Sequence, residues 1–144
     1  MAEGIFREKV SASNLSHRIE CDSCGTSGYH DGENPDRRAI KISGMQGVDI
    51  SGLISRKIRT KDFGEFHYII AMDEDNARDI RLFAGHTHAL DNKLRRMRDF
   101  DPDPGDGNVP DPWYGNEKDF QFVFRMLDRS CDELLKFIRS ENSL

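Results

Sequence analysis

Apolar residues recur at helical spacing at both ends of the 144-residue chain. Near the start, positions 2, 5, 6 and 10 are apolar, and such steps of three and four residues predict a helix over residues 2–10. Near the end, Asn116 can cap a helix because Asp119 follows three residues later. The apolar face of that last helix comprises Phe120, Val123, Leu127, Cys131, Leu134 and Ile138. We therefore expect both helices to be amphipathic.

The segments that follow the first helix show shorter signals. Residues 19–23 form a short strand candidate, and a helix is predicted from Asp36, after Pro35, to a stop at Gly47. The residues of this helix that we expect to face inward are Ala39, Ile42 and Met45. A helical turn is predicted near residues 61–66.

The most strand-like run is residues 67–72, which is apolar nearly throughout, as a strand covered on both faces would be. A helix over residues 75–83 follows, with Gly85 as its stop, and residues 93–100 are predicted as a further strand. Strands that alternate with helices predict an α/β fold with a parallel sheet and helices on both faces. No repeat or low-complexity linker interrupts the pattern, so residues 1–144 are expected to form one domain.

Composition and charge argue against several classes of protein. The chain has 21 Lys and Arg against 26 Asp and Glu, a formal net charge of −5 that disfavours a nucleic-acid binder held by phosphate contacts. No apolar run approaches the roughly 18 residues of a membrane span, and residues 1–10 lack the features of a signal peptide. Three cysteines argue against a disulfide framework and favour a reducing compartment. We therefore expect a cytoplasmic protein, of unassigned oligomeric state, that binds neither nucleic acid nor membrane.

Metal, redox and nucleotide sites are disfavoured by residue spacing. Cys21 and Cys24 form a CxxC pair, but a metal site would need a second Cys or His pair at ligand spacing. A redox pair would lie between a strand and a helix start, not within a strand, so we expect buried small residues here. His86 and His88 alone are weak evidence for a metal. The loop of residues 25–32 fits neither glycine motif of nucleotide sites, and no cofactor is expected.

The segment of residues 109–115, with the sequence VPDPWYG, is the strongest candidate for chemistry. Asp111 lies between two prolines, which hold its carboxylate on a stiff backbone, as a general acid or base requires. Trp113 and Tyr114 follow directly and suit a pocket that grips a flat ring. A turn whose aromatic residues pack on the core is an equally good interpretation of these residues alone.

Three blocks of the chain together resemble the low-molecular-weight protein-tyrosine-phosphatase family. Residues 22–30, DSCGTSGYH, are similar to the family's D-S-A-G-T loop and the aromatic residue that follows it. Residues 71–76, AMDEDN, are similar to A-M-D-x-x-N, and residues 111–115, DPWYG, are similar to D-P-Y-Y-G. The order and spacing of the blocks agree with the family, and the resemblance covers essentially the whole chain.

The resemblance implies a doubly wound, parallel four-stranded sheet with helices on both faces, and a phosphotyrosine phosphatase that needs no cofactor. In the family, the Cys of a C-x5-R loop attacks phosphorus, and an Asp protonates the leaving phenol and later activates water. Carried over, Asp111 is this general acid and base. Trp113, Tyr114 and Tyr29 would wall the ring pocket, and Ser23 would brace the phosphate loop. The implied substrates are phosphotyrosine proteins or small aryl phosphates.

The chain departs from the family at its catalytic loop. None of the three cysteines has Arg six residues later; the residues at those positions are Ser27, His30 and Phe137. The predicted first helix also begins at Met1 without a cap or a preceding strand. We therefore expect a truncated phosphatase that lacks its first, central strand and its nucleophile, and that is poorly stable and inactive. Leu53 also stands where members often have a His that braces the loop.

Two alternatives stay open at this point. One is an enzyme of the same fold, an arsenate reductase or an arginine phosphatase, although paired aromatic residues after Asp111 favour a flat aryl substrate. The other is a non-catalytic pseudophosphatase that serves as a binding module.

Overall fold

The computed structural model describes residues 1–85, 90 and 92–144, so His86 and His88 lie outside the described residues. The described residues form five α-helices, two strands and one 3-10 helix. In chain order these are α1 (Ala2–Ala12), α2 (Arg37–Met45), α3 (Asp62–Glu65), β1 (Ile69–Ala71), α4 (Glu74–Ala84), β2 (Leu94–Arg96), the 3-10 helix Met97–Phe100, and α5 (Glu117–Asn142). All four predicted helices and the helical turn are confirmed.

Side-chain caps explain where three of these helices begin. The Asp36 carboxylate accepts a hydrogen bond from the Arg38 amide at the start of α2, and Asp73 caps α4 in the same way. At α5, Asn116 and Asp119 form a reciprocal capping box, as the sequence predicts. Gly85 follows α4 with φ of 68°, a left-handed backbone that glycine adopts without strain.

The two strands form a parallel sheet joined by α4. Ile69 pairs with Leu94 and Ala71 pairs with Arg96. Successive side chains of β1 point to opposite faces. Ile70 packs against the main core of α1, α2 and α5, whereas Ile69 and Ala71 belong to a smaller cluster with α3 and α4. The predicted α/β class, with helices on both faces of a parallel sheet, is therefore confirmed.

The sheet has fewer strands than the sequence predicts, two in the described part of the chain. The strand expected at residues 19–23 is wrong, because strand pairing here is limited to a single parallel bridge between Gly25 and Lys57. A strand needs a second strand that pairs with it along its length. In this segment a side chain, and not a second strand, bonds to the backbone. The Arg7 guanidinium donates to the Cys21 carbonyl at 2.9 Å.

The strand expected over residues 93–100 forms only in part. Beyond Arg96 the chain turns into the 3-10 helix, because the Asp99 carboxylate accepts from the Arg96 amide at 2.9 Å and competes with strand pairing. Met45, expected to face inward in α2, is 64% exposed. The buried face of α2 consists instead of Ala39, Ile42 and Ser43. Met45, the last residue of the helix, lies outside that face.

The main core lies between α5 and the earlier helices. Ten residues of α5 are buried, among them all six of the predicted apolar face. At the centre, Cys131 is fully buried and contacts the Ala2 carbonyl of α1. At the edge, the Lys9 ammonium lies 2.8 Å from Asp128 and 2.7 Å from Asp132. No helix in the described part of the chain is both long and apolar enough to span a membrane.

Candidate active site

The loop that carries Asp111 is fastened at the carboxyl end of β1. The Val109 amide donates to the Met72 carbonyl at 2.8 Å, just beyond the last residue of the strand. The Glu74 amide, in the first turn of α4, donates to the Asn108 side chain at 3.0 Å. Ligand sites of open α/β sheets lie at the carboxyl ends of their strands. These two bonds therefore place Asp111 at that edge.

A buried ion pair fixes the earlier part of the same loop. The Asp101 carboxylate is fully buried and accepts hydrogen bonds from Arg98 at 2.9 Å and from Arg129 of α5 at 3.1 Å. Burial alone would raise the pKa of Asp101, but the Asp103 amide and the two guanidinium groups hold it below its usual value. The loop is thus tied to the longest helix by a charged group that stays ionised.

Asp111 is held in a defined orientation by the residue two positions later. Its Oδ1 accepts a hydrogen bond of 3.0 Å from the Trp113 amide, and its neighbours Pro110 and Pro112 restrict the backbone on both sides. The side chain is exposed and lines an open cleft of about 320 Å³. Other residues of the lining are Met1, His30, Glu33, Asp36, Trp113 and Phe120.

The predicted aromatic residues occupy different positions around this cleft. Trp113 is 52% exposed and lines it, with its ring centroid 6.1 Å from that of His30. His30 is oriented in turn by Glu33, whose carboxylate lies 2.8 Å from Nδ1. Tyr29 and Tyr114 are 90% and 97% exposed and do not belong to the described lining. The structure therefore brings Trp113 and Asp111 together in one wall and leaves both tyrosines in solvent.

Ser23 lies at the first turn of α1. Its hydroxyl donates to the Glu3 carboxylate at 2.5 Å, and Glu3 is buried and pairs with Arg7 at 2.6 Å. Met1 occupies the N-cap position of α1 without a side-chain capping bond and also lines the cleft, so the bond between Ser23 and Glu3 fixes the helix end nearest the site. The expected role of Ser23 in bracing a phosphate loop stays a prediction.

Arg38 and Arg56 are anchoring residues that sequence reasoning missed. Arg38 pairs with Asp36 and donates to two carbonyl groups of the loop after Asp111. Arg56 links Asp22, of the D-S-C-G-T block, to the buried Asp62 through contacts of 2.9 and 2.7 Å. Both bridges join segments distant in sequence. The only signal in the sequence was that Arg38 follows Asp36 by two residues. An Asp that caps the start of a helix explains this pattern equally well.

The three cysteines are free and none is arranged as a nucleophile or ligand. Burial raises the pKa of Cys21 to about 12, and burial likewise raises the pKa of Cys131 to about 12. A nucleophilic thiol needs the opposite shift. Cys24 is exposed and Cys21 is half-buried, so the expectation that both cysteines of the pair are buried is wrong for Cys24 and holds only in part for Cys21. Among the described residues, no cluster of His, Cys, Asp and Glu could hold a metal ion.

Comparisons with known proteins agree with this geometry. A family model described as low molecular weight phosphotyrosine protein phosphatase matches residues 1–144. The low molecular weight protein-tyrosine-phosphatase YfkJ of Bacillus subtilis is 34% identical, over 100% of this chain and 90% of its own length. The low molecular weight phosphotyrosine protein phosphatase of Saccharomyces cerevisiae is 37% identical, over 94% of this chain and 84% of its own length.

Solved structures show the same likeness. The crystal structure of a protein tyrosine phosphatase from Entamoeba histolytica superposes with a TM-score of 0.88 and 34% identity, over 99% of this chain and 88% of that one. The resemblance inferred from three sequence blocks is therefore confirmed in both sequence and fold.

Proposed function

The chain belongs to the low molecular weight phosphotyrosine protein phosphatase family, and on this premise we propose that its cleft receives an aryl phosphate, with Asp111 as general acid and base. Members of the family are phosphotyrosine hydrolases. The proposed ligands are the phosphotyrosine side chains of proteins and small aryl phosphates.

One observation carries this proposal. The Asp111 carboxylate and the Trp113 indole line the same cleft, and the hydrogen bond from the Trp113 amide to Oδ1 holds them in fixed relation. An aryl ring packed on the indole would bring its ester oxygen within reach of the carboxyl group. A protonated carboxyl can donate to a leaving phenolate, and the resulting carboxylate can later take a proton from water.

The remaining predicted residues have supporting roles in the proposal. Tyr29 and Tyr114, both highly exposed, would close over the ring as a rim. The phosphoryl end would lie towards the start of α1, where Met1 lines the cleft, because a helix N-terminus favours an anion. Ser23 would keep that helix end in place through Glu3.

We also propose that the 144 residues alone, which hold Asp111 but no nucleophile for it to assist, bind an aryl phosphate without hydrolysing it. The sequence contains no C-x5-R, and thus no Arg to hold the phosphoryl oxygens beside a nucleophile. The high pKa of Cys21 and of Cys131 leaves little thiolate at neutral pH. A non-catalytic binding module would also bind its ligand without turnover. The missing C-x5-R and the raised pKa values of Cys21 and Cys131 therefore favour that alternative as well.

The test uses the purified 144-residue chain and two readouts. Release of para-nitrophenol from its phosphate ester should not exceed that of buffer. Trp113 is the single tryptophan, and its fluorescence should change saturably as phenyl phosphate is added. Turnover that Asp111→Asn abolishes would overturn the proposed inactivity, and the absence of a saturable change would overturn the aryl site.

A matched pair of variants tests the role of Asp111 in binding. Asp111→Asn removes a negative charge from the cleft wall and should tighten phenyl phosphate binding severalfold. Asp106→Asn removes an exposed charge from the same loop, outside the cleft lining, and should leave binding unchanged. Phosphoarginine that competes better than phenyl phosphate would instead favour the arginine phosphatase alternative.

We further propose a cytoplasmic location. Its support is the presence of three free thiols, an odd number that suits a reducing compartment. Cell fractionation, followed by alkylation of the native protein, should find it in the cytosolic fraction with all three thiols reduced.

A further inference from the structure

Four of the five N–H donors of the Arg38 guanidinium group make hydrogen bonds beside the proposed site. It is the second residue of α2, directly after the helix start that Asp36 caps. Arg38 Nε donates to Asp36 Oδ1 at 3.0 Å, and Nη2 donates to Oδ2 at 2.8 Å. This two-point pairing fixes the plane of the guanidinium group, and it lowers the pKa of Asp36.

The other donors of Arg38 reach the loop that follows Asp111. Nη2 donates to the Trp113 carbonyl at 2.9 Å, and Nη1 donates to the Gly115 carbonyl at 2.9 Å. These carbonyls lie on either side of Tyr114. The centre of the guanidinium group also lies 4.5 Å from the centroid of the Phe120 ring, at the start of α5. Arg38 thus joins α2, the loop and α5.

We infer that Arg38 is a positioning residue that holds Trp113 and, through it, the Asp111 carboxylate. Both polar backbone groups of Trp113 are hydrogen-bonded: its carbonyl accepts from Arg38, and its amide donates to Asp111. Releasing Arg38 would free the carbonyl and let both side chains turn away from the cleft. The importance of this position of Asp111 for phosphate chemistry rests on the proposed function. The coupling of Arg38 to Trp113 and Asp111 does not depend on it.

Matched variants of α2 test the coupling. Arg38→Met keeps the length and apolar stem of the side chain but removes all donors. Lys41→Met, one turn later, breaks the exposed Lys41–Glu117 pair between the same two helices without touching the loop. Because about half of the Trp113 side chain is shielded, acrylamide quenching of its fluorescence should rise about twofold in Arg38→Met. It should not change in Lys41→Met.

A second spectroscopic signature reports on Asp111 itself. In Arg38→Met the amide proton of Trp113 should move upfield in NMR spectra, as expected when its bond to a carboxylate is lost. Arg38→Lys, which can reach one carbonyl, should restore part of both effects. If Arg38→Met does not fold, Asp36→Asn replaces it. That variant keeps a capping oxygen but weakens the hold on Arg38, and should give a smaller rise in quenching.

The outcomes separate this inference from the proposed function. Unchanged quenching and an unchanged Trp113 amide in a folded Arg38→Met variant, confirmed by circular dichroism, would overturn the inference. An equal response of Lys41→Met would overturn it as well. Failure of phenyl phosphate to bind the wild-type chain would overturn the aryl site only, since both readouts on Trp113 are made without ligand.

Discussion

The Nη1 atom of Arg98 lies 2.9 Å from Oδ2 of Asp101, and the two side chains are 6% and 0% exposed. The same guanidinium group donates to the carbonyls of Asp103 and Pro104, so it also shapes the turn that follows. Removing one member of a buried pair leaves the other charge unpaired away from water. The consequence for stability can be measured.

Asp101→Asn should lower the free energy of unfolding by about 3–5 kcal/mol, because Arg98 would lose its buried counter-charge. Asp103→Asn, which changes an exposed carboxylate two residues later, should cost less than about 0.5 kcal/mol. Urea unfolding followed by circular dichroism measures both. A loss below about 1 kcal/mol for Asp101→Asn would show that the pair does not hold the loop.

Stability should fall as the pH drops below about 4. Burial acts to raise the pKa of Asp62 and of Asp101, but guanidinium groups and backbone amides outweigh it and hold both below the usual 3.8. The folded protein therefore binds fewer protons than the unfolded chain. The resulting stabilisation is complete above the usual pKa and is lost as pH falls through the lowered values. Urea midpoints between pH 7 and 2 measure this loss, and Asp101→Asn should show a shallower decline.

Two buried serines should respond in opposite ways to truncation. Ser43 is fully buried, and its hydroxyl has no hydrogen-bond partner within the described part of the chain. Ser43→Ala should therefore leave stability unchanged or raise it by up to about 1 kcal/mol. Ser130 is equally buried, but its hydroxyl donates to the Met126 carbonyl at 2.9 Å, so Ser130→Ala should cost about 1 kcal/mol. Thermal melts compare them, and a larger loss for Ser43→Ala would contradict the assignment.

Two helical glycines form a similar pair. In α1, a methyl group at Gly4 would overlap the Ile50 side chain and lie 3.2 Å from Val48, so Gly4→Ala should cost about 1–3 kcal/mol. In α2, nothing lies within 4 Å of a methyl group at Gly44, and Gly44→Ala should raise stability by about 0.5–1 kcal/mol. Chemical denaturation of both variants checks the sign. Equal effects would mean that α1 does not pack against Ile50 as described.

Local signals predicted the helices well because the groups that define them are close in sequence. The capping box of α5 joins Asn116 to Asp119, and the buried face of the helix follows the 3.6-residue period. Asp111 and Trp113 were selected as candidates in the same way, since prolines and adjacent aromatic residues are visible in a short window, and their functional roles stay predictions. That Trp113 faces the cleft while Tyr114 faces solvent depends on the turn of the loop, which composition does not reveal.

The features that the sequence did not predict depend on contacts between residues that are distant in sequence. Residues 19–23 have a strand-like composition, but a strand exists only where another segment pairs with it. Arg38 contacts carbonyl groups 75 and 77 residues away, and its neighbour Arg37 has the same charge in the sequence. Only the three-dimensional arrangement distinguishes an anchoring Arg from a solvated one.

The packing of the first helix against the last has a kinetic cost. The Lys9 ammonium and the Asp132 carboxylate that meet at this interface are 123 residues apart, so nearly the whole chain must close as one loop before they can touch. Contacts between such distant residues form slowly, because the loop-closure entropy is lost before the contact is gained. During synthesis α1 therefore leaves the ribosome long before α5 can cover it. For that interval its apolar side is open to chaperones and to neighbouring chains.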